Sequence, residues 1–454
     1  MSLSPALIAT RRFGLGTRPG ELARLADDPQ GWLANQIGAA VPLSGIQPSA
    51  QRVVALTEAR QALREMKQEG NKNTDAFAQL KSEQRDFYLG DVSARLQAAV
   101  ESDTPFAERW VWFWSNHFTV SIARPLIAGL VVPFDNEAIR PHAFGRFADL
   151  TLAVVRHPAM LLYLDNALSI GPDSPVGRRH DAGLNENLAR ELMELHTLGV
   201  DGGYDQDDVR ALAKILTGWT VVRPGRMARY LDAEPGTFQF AAIAHEPGVK
   251  MLLGKRYAPD GEQEGVAAIH DLCAHPATAR HIARKIARHF LADDPPPEAV
   301  TALENEFTRS GGDLAALARR LVALPQSWSL PMTKARPPEE WLIAIRRAFP
   351  ATDKALPRAL IGALQQLGQV PFAAPSPAGW PDDSAGWLGP EALMARLNFA
   401  SAVAQRVRVA EPQTLAERVL GPEVMDESRL QIARAPSAAD ALALLLVSPE
   451  FMLR

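Results

Sequence analysis

N-E-N-L-A-R-E-L-M-E-L-H-T-L-G-V-D-G-G, residues 185–203, sets carboxylates, amides, an arginine and a histidine beside an apolar stripe. At about 100° per residue, Leu188, Leu192, Leu195 and Gly199 fall on one line, and the spacing predicts a helix with that line as its buried seam. Glu191 lies at the edge of the seam, with Asn187 and Glu194 just beyond it. Arg190 stands one turn from both Glu186 and Glu194. Asn185 suits the N-cap, Glu186 the positive end of the helix dipole, and Gly199 the C-terminal break. Acids so close to a core must be paired, liganded or shifted in pKa.

The same period governs most of the chain on either side. Amphipathic helical patterns cover 19–37, 49–69, 76–101, 134–147 and 148–164, with a polar loop at 70–75. Asp103-Thr104-Pro105 stops one helix and starts the next, with proline at the first helical position. That next helix carries R-W-V-W-F-W-S-N-H-F, in which Trp110, Trp114, His117 and Phe118 share a face. A Gly/Pro/Asp-rich loop at 169–183 leads into the 185–203 helix, and a further helix begins near Gln206. The period changes between 219 and 257, where T-V-V, T-F-Q-F and V-K-M-L-L-G read as short strands. Helices resume at 262–275, 276–292, 298–309, 312–324, 338–349, 355–367, 390–408, 412–419 and 437–446. The long Pro/Gly/Trp loop at 370–389 interrupts them, and a loop of that length in a compact domain is often functional. The expected fold is mainly α: a single multi-helical domain spanning 1–454 with a small antiparallel β excursion at 219–257.

Composition excludes several classes. The 454 residues are 47% hydrophobic, enough for a large core, and the net charge of -4 gives no pull toward nucleic acid. Cys273 is the only cysteine, which rules out an internal disulfide and a Cys-based metal cluster. No run approaches the length of a membrane span. Thr10-Arg11-Arg12-Phe13 imitates the start of a twin-arginine signal, but no apolar stretch follows it, so the expected location is cytoplasmic. Gly14-Leu15-Gly16 has no strand before it and is not a dinucleotide loop.

Three segments carry candidate chemistry. Glu191 and Glu194 stand roughly 60° apart on their helix and could reach one cation or share a proton, whereas His196 points roughly 160° from Glu194. The competing reading has Arg190 and other basic residues neutralising both acids in a structural network. The second segment is Ser115-Asn116-His117, where an aromatic wall would hold the imidazole neutral. The third is His245-Glu246-Pro247-Gly248, a histidine on a tight loop between strand signals. His117 and His245 with Glu191 and Glu194 would make a four-ligand N/O set suited to zinc, manganese or iron. A strip of His281, Arg284, Lys285, Arg288 and His289 reads as a solvated basic face or an anion contact.

The run 185–204, followed by D-V-R-A-L-A-K-I-L-T-G-W, strongly resembles the bacterial proteins catalogued as domain-of-unknown-function family 1800. R-F-G-L-G near Phe13, F-W-S-N-H-F at 113–118, H-P-A-M-L-L-Y-L-D-N at 157–166, H-E-P-G-V-K-M-L-L-G at 245–254 and R-L-N-F-A at 396–400 extend the resemblance over nearly the whole chain. It implies relatives that are often exported and encoded beside a sulfatase- or phosphatase-like protein. Relatives tend to carry His where Ser115 stands and Asp where Glu246 stands. His117 and His245 match the family and rise above the other histidines. Two functions follow. One is an enzyme with Glu191, Glu194, His117, His245 and Arg190 in its pocket, hydrolysing a polar or anionic substrate with or without a divalent metal. The other is a non-catalytic binding or maturation partner of the neighbouring protein, with 370–389 as its contact surface.

Overall fold

Proline punctuates the helices. In a computed structural model of the chain, helices Pro105–His117, Pro158–Tyr163, Pro276–Phe290, Pro297–Ser310, Pro338–Ala348, Pro390–Arg406 and Pro412–Leu420 all begin on proline. At that position the missing N–H would have had no helical partner, and the ring presets φ. His157 and His275 cap the helices that follow them by accepting the N–H of Ala159 and Ala277 on Nδ1. Pro158 also splits the expected 148–164 helix into Phe147–Arg156 and Pro158–Tyr163, because a proline ring clashes inside a helix. The structure describes residues 3–68, 74–180, 183–222, 234–349, 357–407, 411–421 and 424–454. Most of the expected 70–75 loop, the start of the 355–367 helix and part of the β excursion lie outside them.

The fold is mainly α, 63% helical, with strands only in two small antiparallel pairs among the described residues. Strand β1 (Trp219–Val221) pairs with β2 (Phe238–Phe240), and β3 (Lys250–Leu252) with β4 (Lys255–Tyr257). Leu253 and Gly254, both at positive φ, make the tight turn of the second pair. The aromatic helix Pro105–His117 runs through the main core, where Trp110, Trp114 and Phe106 are fully buried. Trp110 packs on Phe144 and Phe290, and Phe13 stacks on Phe290. A second apolar cluster gathers Trp341, Ala400, Leu442, Leu445 and Phe451. The two ends of the chain meet where Arg11 donates to the carbonyl of Leu453 at 2.9 Å. Arg12 is buried and donates to the carbonyls of Ser327, Leu330 and Pro331. The twin-arginine look-alike is therefore built into the core. No helix among the described residues is long and apolar enough to cross a membrane.

The helix at the centre of the sequence pattern departs from ideal spacing halfway. Asn187–Glu191 is α-helical, but Leu192–His196 is a π turn. A π turn inserts an extra residue, so every side chain after Leu192 lags behind the 100° rule. Thr197 takes the freed carbonyl of Leu192 at 2.7 Å. Leu188 and Leu192 are buried as expected, but Leu195 is only half-buried, and Met193 and His196 take its place in the core. Asn185 accepts the N–H of Asn187 at 2.9 Å. Gly199 ends the segment at φ +84°, where a Cβ would stand 2.8 Å from His281 Nδ1. Leu192 is 0% exposed, so Leu192→Ala is expected to cost roughly 2–5 kcal/mol in urea unfolding. A loss below about 1 kcal/mol would show that the site collapses around the deletion.

Candidate active site

The C-terminal end of the Pro105–His117 helix, the basic strip on Pro276–Phe290 and the 370–389 loop converge. The loop is not free chain. Asn116 donates to the Trp380 carbonyl at 3.1 Å and accepts the Trp380 N–H at 2.8 Å, a reciprocal amide pair. Gly379 makes that approach possible: its φ is +85°, and a Cβ would lie 2.5 Å from the Asn116 carbonyl oxygen. Tyr88 and Ser121 donate to the carbonyls of Pro371 and Ala374, and Trp387 closes back on Pro381. Lys334 holds the far end by donating to Asp293 at 2.6 Å and to the Asp382 carbonyl at 2.8 Å.

This anchoring leaves a cleft on either side of the segment 378–383. One side is a cavity of about 80 Å³ lined by Ser115, Asn116, His289, Glu340 and Asp382, with room for a few waters. The other holds about 320 Å³ and is lined by Asn116, His117, Lys285, Arg288, Trp380 and Asp382. Asn116, Trp380, Pro381 and Asp382 face both.

In the smaller cavity Asp382 Oδ1 lies 2.9 Å from His289 Nδ1. An ionised carboxylate accepts, so Nδ1 carries a proton, and in the neutral ring this tautomer leaves the lone pair on Nε2. His289 Nε2 is buried with no hydrogen-bond partner among the described residues, and Glu340 lies 4.0 Å from it. Burial alone would raise the Asp382 carboxyl, but His289, Lys334 and Lys285 together hold it below its ordinary value. Glu340 pairs with Arg454 at 2.9 Å and with Arg109 at 3.4 Å.

Three neutral imidazoles pack behind the larger cavity. The His117 ring lies 5.6 Å from that of His196 and 6.3 Å from that of His281. His117 Nε2 donates to the His196 carbonyl and His281 Nε2 to the Leu195 carbonyl, each at 3.1 Å. These two imidazoles thus satisfy the carbonyls at the end of the π turn. Burial, then the charge of Lys285, pushes His196 down to about 3 and His281 to about 4. Burial and Lys285 also hold His117 well below its usual range.

Of the five expected site residues, the cleft takes in only His117. His245 is engaged elsewhere: Nδ1 on the Thr217 carbonyl at 2.9 Å and Nε2 on Glu264 at 2.9 Å. Lys250 closes that network on Glu264 at 2.8 Å. Arg190 pairs with Glu186 at 2.9 Å and bonds Gln206 at 3.1 Å. Burial and then Glu194 raise the carboxyl of Glu191, with Arg190 opposing, and its charge also reaches Tyr163 and Tyr204. Among the described residues no group of three or more His, Cys, Asp or Glu is arranged to hold a metal ion. The expected ligand set of Glu191, Glu194, His117 and His245 is therefore not assembled. Two causes are visible: the π turn re-aims the end of its helix, and both nitrogens of His245 are committed. Sequence spacing missed Asp382 and Glu340, and it named Lys285 and His289 only as part of a basic strip; the four meet in three dimensions. The basic strip and the P-D-D of the long loop were their only signals.

Fold and cleft together describe a helical protein with a half-open cleft that carries several charged and polar side chains. The chain matches the family model described as protein of unknown function (DUF1800) over residues 8–453, and it belongs to that family. No curated protein and no solved structure matches it.

Proposed function

We propose that the chain is a hydrolase-type enzyme acting on a polar or anionic substrate in the cleft flanking 378–383. The supporting observation is the Asp382–His289 pair, which lines a small cavity with Ser115 and Asn116 and leaves Nε2 buried without a hydrogen-bond partner among the described residues. An imidazole held in this tautomer is a general base, able to take a proton from a water or from the Ser115 hydroxyl. Lys285 and Arg288 give the larger cavity its positive side. Glu191, Glu194, Arg190 and His245 stand apart from this cleft, and the partners of Arg190 and His245 support a structural role for those two. The test is hydrolysis of p-nitrophenyl acetate, phosphate and sulfate by the full chain. Turnover of at least one ester above buffer, reduced by His289→Gln, is the expected result. No turnover of any of them, or turnover indifferent to His289→Gln, would reject the reading.

A further inference from the structure

Lys285 differs from the other cations of the cleft. Arg288 pairs with Asp383 at 3.3 Å, Lys334 with Asp293 at 2.6 Å, and His289 with Asp382 at 2.9 Å. Lys285 has no hydrogen bond or ion pair at contact distance among the described residues, although it lines the 320 Å³ cavity. The charged groups that act on it are Asp382 across the cavity and Arg288 one turn along its own helix. His117, His196 and His281 feel its charge in return, and all three are held neutral. His117 also lines this cavity, and its buried Nδ1 has no hydrogen-bond partner among the described residues.

We propose that Lys285 is a nucleophilic amine that condenses with an aldehyde or ketone bearing an anionic group, which Arg288 orients. An unpaired, half-buried lysine lining a cleft is an arrangement in which the free amine becomes accessible. Burial first, only partly offset by Asp382, brings the Lys285 ammonium down to about 8. At neutral pH about 10% of such a group is free amine, against well under about 0.1% for an ordinary lysine. In the first step the Nζ lone pair attacks the carbonyl carbon, and the carbonyl π pair moves to oxygen. The oxygen gains a proton while nitrogen loses one, giving a carbinolamine. Nitrogen then expels the protonated hydroxyl as water and forms the C=N bond, so amine plus carbonyl gives imine plus water. The proton that leaves nitrogen and the one that reaches the departing oxygen are exchanged with water, for which the 320 Å³ cavity has room. Hydrolysis at His289 uses none of these steps, so this proposal stands or falls separately.

Reductive trapping tests it on the full chain. Glyoxylate and, in parallel, propionaldehyde are added with sodium cyanoborohydride at pH 7, and labelled lysines are located by peptide mass mapping. Lys255, whose side chain is 59% exposed, is the internal reference. Glyoxylate is expected to label Lys285 at least about tenfold faster than Lys255, the rate rising as pH passes about 8. Arg288→Gln, a change at a surface-exposed side chain, is expected to remove the advantage of glyoxylate over propionaldehyde while leaving Lys285 reactive. Labelling of Lys285 no faster than Lys255 would overturn the proposal. So would equal labelling by the two aldehydes in the unaltered protein.

Discussion

Asp382→Asn is expected to lower kcat/KM on the best of the three esters by about 10²–10⁴, with little change in the size of the pocket. The substitution is nearly isosteric, so what it alters is the proton on His289. A carboxylate at 2.9 Å from Nδ1 fixes the tautomer with Nε2 unprotonated; an amide can present its NH₂ instead and favour the opposite tautomer. Nε2 would then carry a proton and could not act as base. Loss of the carboxylate also removes the charge that stabilises the imidazolium formed when the base does its work. Lys334 and Ser384 hold the backbone around residue 382 through Asp293 and the Asp382 carbonyl, so the loop should keep its place. Steady-state kinetics with unfolding curves for both proteins is the measurement. An unchanged kcat/KM in a folded variant would mean that the His289 pair is structural.

Mild acid is expected to destabilise the protein through its buried histidines, before its paired carboxylates titrate. His196 and His281 sit at about 3 and about 4, depressed by burial and then by Lys285. In the unfolded chain each would titrate near 6.5. Below that value the unfolded state binds protons that the folded state refuses, so stability is full above about 6.5 and falls as pH drops toward the folded values. Each of the two contributes on the order of 2 kcal/mol of loss between pH 7 and pH 5. His117, also held low, adds in the same direction. Carboxyls raised by burial, such as Glu339 and Asp91, oppose part of the loss, because their folded forms take up protons readily. Urea unfolding at pH 7 and pH 5, on the protein and on His281→Gln, isolates one histidine's share. The variant should lose less stability between the two pH values than the unaltered chain; an identical loss in both would remove His281 from the account.

The sequence alone determined the parts of this protein that depend on neighbours along the chain. Proline at the first helical position marked the start of Pro105–His117, the helical period placed the starts of Pro276–Phe290 and Pro338–Ala348, and the 3.6-residue stripe placed Leu188 and Leu192 inward. The change of period at 219 located both strand pairs. These are local effects, carried by backbone sterics and by burial of one face, and they act within a few residues. What the sequence pattern could not show is the π turn at Leu192–His196. One inserted residue moved Leu195 outward and turned His196 toward His117. The cleft was decided at longer range still. Asn116 meets Trp380 across 264 positions, and His289 meets Asp382 across 93. Helical spacing carries no information about such pairs, because it fixes only which side of a helix a residue occupies. The residue brought opposite that side depends on how the helices pack, and only the tertiary structure brought the basic strip, the aromatic helix and the long loop to one place.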